Sequence, residues 1–215
     1  MQTNPSTQRI LVYGDSLVHG RKPWWPRYDA KTRFTGVAQD ILGSDYDIIE
    51  EGLRGRMLVG ENAFFPYRNG YEQFGPIFAS HLPLDAVMIY LGTNDCNVWS
   101  NLSYETFSQA LDSYRERMQR WSVFFKLDVP RLLLVCPHRV EEEYSYPVFN
   151  DIFRWATEKS INLTEYYRQY ASSHNLPLLN TSVIVTASQV DGVHLDVEMN
   201  EILGQAMSLF VKENT

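Results

Sequence analysis

The chain reads as an α/β domain built on a parallel sheet with helices on both faces. Three observations predict this class. Five short apolar runs rich in β-branched residues recur along 215 residues, stretches of helical periodicity separate them, and sharp polar turns interrupt the apolar pattern. In such a sheet the turns beyond the carboxyl ends of the strands collect at one edge, where ligands bind.

The elements follow in order. The first strand is Arg9 to Tyr13, running into the turn Gly14-Asp15-Ser16. A helical pattern covers Phe34 to Leu42, a second strand Tyr46 to Glu50, a helix the region around Pro76 to His81, and a third strand Asp85 to Leu91. The clearest helix is Ser103 to Lys126, with Phe107, Leu111, Tyr114, Met118, Trp121 and Phe125 at alternating spacings of four and three and Ser103 as N-cap. An aromatic stripe at that spacing reads as core rather than as a ligand groove. Arg131 to Cys136 is the fourth strand, Asn150 to His174 a helix, and Pro177 to Asn180 a weaker fifth strand. The last helix is Asp196 to Val211, with Asp196 as N-cap and Met199, Ile202, Leu203, Ala206, Met207 and Phe210 on one apolar face. No repeat, low-complexity tract or Gly/Ser linker divides residues 1–215, which read as one domain.

Composition bounds the function. A hydrophobic share of 44% supports a sizeable core, and a formal charge of -7 argues against nucleic acid or an anionic membrane surface as partner. That leaves a small or neutral molecule. No apolar run approaches the roughly 18 residues that span a bilayer, so the expectation is a soluble cytoplasmic protein. Two cysteines, Cys96 and Cys136, are too few for a disulfide framework, and Cys96 reads as a small buried thiol.

The candidate chemistry sits in the turns. Ser16 follows the first strand, Gly52 the second and Asn94 the third, while Asp191 and His194 precede the last helix, so a parallel sheet brings all of them to one end. Asp191 would fix the tautomer of His194, which would take the proton of Ser16. The Ser16 and Gly52 amides and the Asn94 side chain would face a developing oxyanion. Each residue alone has a bland reading: a strand-end turn for Gly52, a turn bonding its own backbone for Asn94, a solvated loop pair for Asp191 and His194. Asp15 and Asp95 are expected to hold their own loops by accepting backbone N–H bonds. His19 and His138 are read as polar rim residues. The pocket is expected to draw on Asp15, Leu17, Trp25, Trp99 and Val193. The aromatic loops Trp24-Trp25 with Tyr28, and Phe64-Phe65 with Tyr67, are expected to border the site and to be partly buried in a homo-oligomer.

Taken together, Gly14-Asp15-Ser16-Leu17, Gly52, Gly92-Thr93-Asn94-Asp95 and Asp191-Gly192-Val193-His194 resemble, in order, the four blocks of the SGNH (GDSL) hydrolases. Glu50-Glu51-Gly52-Leu53, His81-Leu82-Pro83-Leu84-Asp85 and Leu91-Gly92-Thr93-Asn94-Asp95 look like the bacterial arylesterase and acyltransferase branch. The resemblance implies a flavodoxin-like three-layer α/β/α sandwich with strand order 2-1-3-4-5. It also implies action on short-chain, chiefly acetyl or aryl, esters, transfer of the acyl group to alcohols as well as water, and homo-oligomers. The reaction needs no metal or organic cofactor. One departure stands out: Arg54 occupies a position where the family carries a small residue, and it is read as an interface contact, a constriction of the acyl pocket or a solvated surface charge. The expected function is therefore a serine esterase. Two other classes are a metal-dependent phosphoesterase using Asp15, Asn94, Asp95, Asp191 and His194, and a non-catalytic binding protein on the same fold.

Overall fold

Alternation within the apolar runs decides how the sheet is buried. The computed structural model describes residues 7–24, 26–144 and 151–215. In β1 (Gln8–Gly14), Leu11 and Tyr13 face one core while Ile10 and Val12 face the other. The same division runs through β3 (Ala86–Tyr90) and β4 (Arg131–Cys136), whose Val87, Ile89, Leu132 and Leu134 join the first core and Met88, Tyr90, Leu133 and Val135 the second. Strands buried on both faces belong to parallel sheets. With β2 (Tyr46–Gly52) and β5 (Leu178–Asn180) the sheet has the order β2-β1-β3-β4-β5, and each neighbouring pair is parallel. It is the three-layer α/β/α architecture expected.

Helices α3 (Gly70–His81), α4 (Tyr104–Phe125) and α5 (Ala156–His174) supply Phe74, Phe107, Tyr114, Leu163 and Tyr167 to the first core. Helices α2 (Phe34–Leu42) and α6 (Val197–Asn214) supply Phe34, Ala38, Leu203 and Met207 to the second, together with Leu17 and Val18 of the short α1 (Ser16–His19).

Several boundaries differ from the sequence reading for physical reasons. Helix α3 starts at Gly70, capped by the Asn69 side chain accepting from Glu72 N–H, and runs through Pro76. Pro76 and Glu72 lie on the exposed side, where water can satisfy the carbonyl that proline leaves without a donor. Helix α5 starts only at Ala156, because Trp155 takes a left-handed φ of 64°; residues 145–150 lie outside the described ones. Ser103 caps α4 as expected, by accepting from Thr106 N–H, whereas Asp196 occupies the N-cap position of α6 without a side-chain cap bond. The aromatic stripe of α4 is buried from Phe107 to Met118, but Phe125 is exposed, so the helix outruns the sheet it covers. No described helix is long and apolar enough to cross a membrane.

Candidate active site

Everything that positions Ser16 is local to the end of β1. Asp15 caps α1 by accepting the Leu17 amide at 2.9 Å, which starts the helix at Ser16 and turns its side chain out of the strand. Parallel register sets Gly14 beside Gly52, and the Leu53 amide closes onto the Gly14 carbonyl at 3.1 Å. The first turn of α1 packs so closely on this strand end that a Cβ at Gly52 would lie 2.1 Å from the His19 nitrogen. Only glycine fits there.

His194 arrives on a loop held from several sides. Asp191 Oδ1 accepts the Val193 and His194 amides at 3.0 and 2.9 Å, and Asp191 Oδ2 stands 2.6 Å from His194 Nδ1. Gly192, at a φ of 69°, makes the sharp turn between them, its amide donating to Ser188 and its carbonyl accepting from Glu141. Because an ionised carboxylate can only accept, the Nδ1 proton belongs to the Asp191 bond, leaving Nε2 to accept from Ser16 Oγ at 2.9 Å. Ser16, His194 and Asp191 are 6%, 3% and 1% exposed. This is the line the sequence predicted.

The electrostatics keep the base neutral at rest. Burial lowers the His194 pKa, the Asp191 hydrogen bond and charge oppose that, and the Arg21 and Arg54 charges add to the lowering; the net direction is down. For Asp191, burial pushes upward, but the His194 hydrogen bond and charge and the two amides outweigh it and the carboxyl ends below its ordinary value. An ionised Asp191 beside a neutral imidazole is the state a general base requires.

Asn94 lies beside this line in a tightly built turn. Its Nδ2 donates to Asp15 Oδ2 at 3.2 Å and to the Arg56 carbonyl at 3.1 Å, so both amide protons already have protein acceptors. Asn97 fixes the turn by donating to the Asn94 carbonyl at 2.7 Å. Asp95 is buried and accepts the Leu58 and Val59 amides at 2.7 and 3.2 Å, tying this turn to the loop after β2. Burial pushes both Asp15 and Asp95 up to about 7.

Other expected residues are placed differently. Asp15 is fully buried as a cap, and Leu17 and Val193 are buried and pack in the two cores. Trp25 lies outside the described residues. Trp99 is 56% exposed and meets Phe64 edge to face at 4.9 Å, while Phe65, Tyr67 and Trp24 are exposed as well. His138 is not a rim residue but is buried, its Nε2 bonded to the Val193 carbonyl at 2.8 Å, so it braces the loop that carries His194. Asp191 and Asp95, which a phosphoesterase metal site would need, direct their oxygens at His194 and at backbone amides. Among the described residues no His, Cys, Asp or Glu side chains cluster as a ligand set.

Arg56 escaped the sequence reading altogether. It is buried, donates to the Gly14 carbonyl at 2.8 Å and to the Glu51 carbonyl, and lies 4.0 Å from the centroid of the Tyr13 ring. One guanidinium thus joins the ends of β1 and β2, and its own carbonyl holds Asn94. An arginine in a loop gives no sequence signal of such a role, since the same pattern describes a solvated charge.

A hydroxyl, imidazole and carboxylate in one hydrogen-bonded line, at the carboxyl edge of a parallel sheet, is the arrangement of a serine hydrolase. The chain belongs to the GDSL-like lipase/acylhydrolase family, whose model matches residues 10–207, and is accordingly a carboxylic ester hydrolase. Among solved structures it is similar to the aryl esterase of M. smegmatis, with a TM-score of 0.89 and 29% identity over 97% of this chain and 100% of that one. It is similar also to Est24, a carbohydrate acetylesterase from Sinorhizobium meliloti, with a TM-score of 0.88 and 29% identity over 96% of this chain and 99% of that one. A lipase/acylhydrolase from Enterococcus faecalis, at 15% identity and a TM-score of 0.68, shares the fold. No curated protein sequence matches the chain.

Proposed function

We propose that the chain hydrolyses short-chain esters, acetyl or aryl, through an acyl-enzyme on Ser16. The observation that carries this reading is the run from Ser16 Oγ to His194 Nε2 at 2.9 Å and from His194 Nδ1 to Asp191 Oδ2 at 2.6 Å. Ser16 Oγ attacks the ester carbonyl as its proton passes to His194 Nε2, and the imidazolium formed is stabilised by Asp191. The carbonyl oxygen becomes an oxyanion facing the Ser16 and Gly52 amides, and Asn94 joins them by giving up one of its two present acceptors. Collapse expels the alkoxide, which takes the proton from His194. Water then attacks the acyl carbonyl with His194 again as base, releasing the acid and restoring Ser16.

Aryl and acetyl esters are favoured by the likeness to the aryl esterase and the carbohydrate acetylesterase. An alcohol replacing water in the second half would give transesterification. A series of para-nitrophenyl acetate, butyrate and octanoate, with products analysed in the presence and absence of a primary alcohol, tests both parts. The expected result is highest kcat/KM on acetate, with alcohol-derived ester among the products. Highest kcat/KM on octanoate would refute the short-chain assignment, and acid as sole product would refute transfer.

A further inference from the structure

The turn that follows β2 brings one side chain back onto the strand it leaves. The Arg56 amide donates to the Leu53 carbonyl at 3.0 Å and Gly55 takes a left-handed φ of 77°, so the chain doubles back just past Gly52. The Arg56 Nη1 carries two protons and gives both to backbone, one to the Gly14 carbonyl at 2.8 Å and one to the Glu51 carbonyl. Its Nε donates to Gln73 Oε1 at 3.2 Å, and the Tyr13 ring faces the guanidinium.

The Glu51 carbonyl and the Gly52 N–H belong to one peptide group. A donor on the oxygen of a peptide polarises the whole group and makes its N–H a stronger donor, by roughly 10–30% per bond. A cationic donor does this more strongly than a neutral one. The Gly52 amide is one of the groups that the proposed mechanism sets against the oxyanion. The main chain of Arg56 reaches a second, because its carbonyl accepts from Asn94 Nδ2 at 3.1 Å and fixes the direction of that amide.

The carboxylates of the neighbouring strand ends and turns are engaged elsewhere. Glu50 pairs with Arg33 at 2.6 Å and Glu51 with His81 at 2.8 Å, Asp15 accepts from the Leu17 amide and Asn94, and Asp95 accepts the Leu58 and Val59 amides. Among the described residues no carboxylate forms an ion pair with Arg56, although the side chain is buried. Burying a cation against carbonyls and a ring costs more than burying a neutral donor, which could tie the strand ends as well. What the neutral donor lacks is the positive charge, and that charge gains value as an ester carbonyl oxygen becomes negative.

Resting on the serine-esterase reading, we infer that Arg56 is a positioning residue for the oxyanion: its guanidinium strengthens the Gly52 amide through the Glu51 peptide, and its carbonyl aims Asn94. Arg56 acts through these two groups and not on the ester itself. Its effect therefore belongs to the tetrahedral oxyanion and not to the uncharged ester.

Arg56→Met, which keeps the length and loses the charge, tests this with two competitive inhibitors. Trifluoroacetone accepts Ser16 Oγ at its carbonyl carbon while the Ser16 proton passes to His194, and it becomes a tetrahedral oxyanion. Para-nitroacetanilide has the shape of para-nitrophenyl acetate and stays uncharged. Rates are expressed per serine titrated by a fluorophosphonate, so that unfolded protein does not enter them. In the variant, kcat/KM on para-nitrophenyl acetate should fall and Ki for trifluoroacetone should rise by a similar factor, about tenfold, while Ki for the anilide changes by less than about twofold. Equal weakening of both inhibitors marks a merely structural role and overturns the inference, as does an unmoved Ki for trifluoroacetone. Should Arg56→Met fail to fold, Arg56→Lys takes its place, keeping the charge as a point and not a fork. The same divergence is then expected at about threefold, and parallel Ki values overturn the inference. Ser16-dependent turnover without divergence of the two inhibitors refutes this inference only, whereas absence of Ser16-dependent turnover of any ester refutes the esterase reading beneath it.

Discussion

Replacing Gly52 by alanine tests how closely the nucleophile helix is set against the sheet. The added Cβ would lie 2.1 Å from the His19 nitrogen, 2.5 Å from the Val18 carbonyl carbon and 2.6 Å from His19 Cα, whereas ordinary contact begins at 3.4 Å. All three atoms are backbone, so no rotamer change relieves the clash, and α1 must retreat from β2 by more than an ångström. Overpacking of this kind costs about 1–3 kcal/mol. For a chain of this size that is a fall in Tm of roughly 3–10 °C. Ser16 opens α1, so the retreat also disturbs the 2.9 Å contact with His194, and a misplacement of about 1 Å costs about 100-fold in rate. The comparison is Gly75→Ala in α3, where the new methyl would meet the Arg117 side chain at 3.1 Å and Trp121 Nε1 at 3.5 Å. In a helix interior alanine is favoured by about 1 kcal/mol, so that variant should keep its Tm within a few degrees and its kcat unchanged. Thermal unfolding and para-nitrophenyl acetate turnover on both variants supply the data. A Gly52→Ala protein with wild-type Tm and kcat would refute the close-approach argument.

The remaining predictions concern charge. Asp191→Asn should lower kcat at neutral pH by about 10³–10⁴-fold, because an amide no longer fixes the Nδ1-protonated tautomer; a loss below about tenfold would contradict the role of Asp191. The acid limb of the kcat/KM profile should lie below the ordinary imidazole value of about 6.5, since His194 is shifted downward, and Arg54→Gln should move it to higher pH by removing a nearby positive charge. An unmoved limb would show that Arg54 does not act on His194. Burial raises Asp95 in the folded state to about 7 from 3.8, so its contribution to stability is complete below 3.8 and is lost as pH rises through about 7. Asp95→Asn should therefore flatten the decline of Tm across that window, and an unchanged slope would refute the assignment.

What the sequence disclosed follows from what is periodic or local. The central strands β1, β3 and β4 were legible because strands buried on both faces carry near-continuous apolar runs, as Leu11 and Tyr13 against Ile10 and Val12 do in β1. Ser16, Asp191 and His194 were legible because short polar turns at strand ends converge in a parallel sheet. The pocket was less so. Leu17 and Val193 adjoin Ser16 and His194 in the chain, yet a helix turn and the Gly192 turn aim them into the cores. His138 and Arg56 act through contacts 55 and 42 residues away in the chain, with the Val193 and Gly14 carbonyls, which no spacing rule anticipates. The sequence reading places a helix around Pro76 to His81, whereas α3 begins at Gly70 and its exposed side tolerates Pro76 in the interior.

The most direct test of the central claim is intact-protein mass spectrometry after exposure to a fluorophosphonate, run on the wild type and on Ser16→Ala with ester turnover measured on both. The account predicts one adduct per chain, mapped to Ser16, and a variant that is folded, unlabelled and inactive. A wild type that stays unlabelled, or a folded Ser16→Ala variant that hydrolyses esters at the wild-type rate, would contradict it.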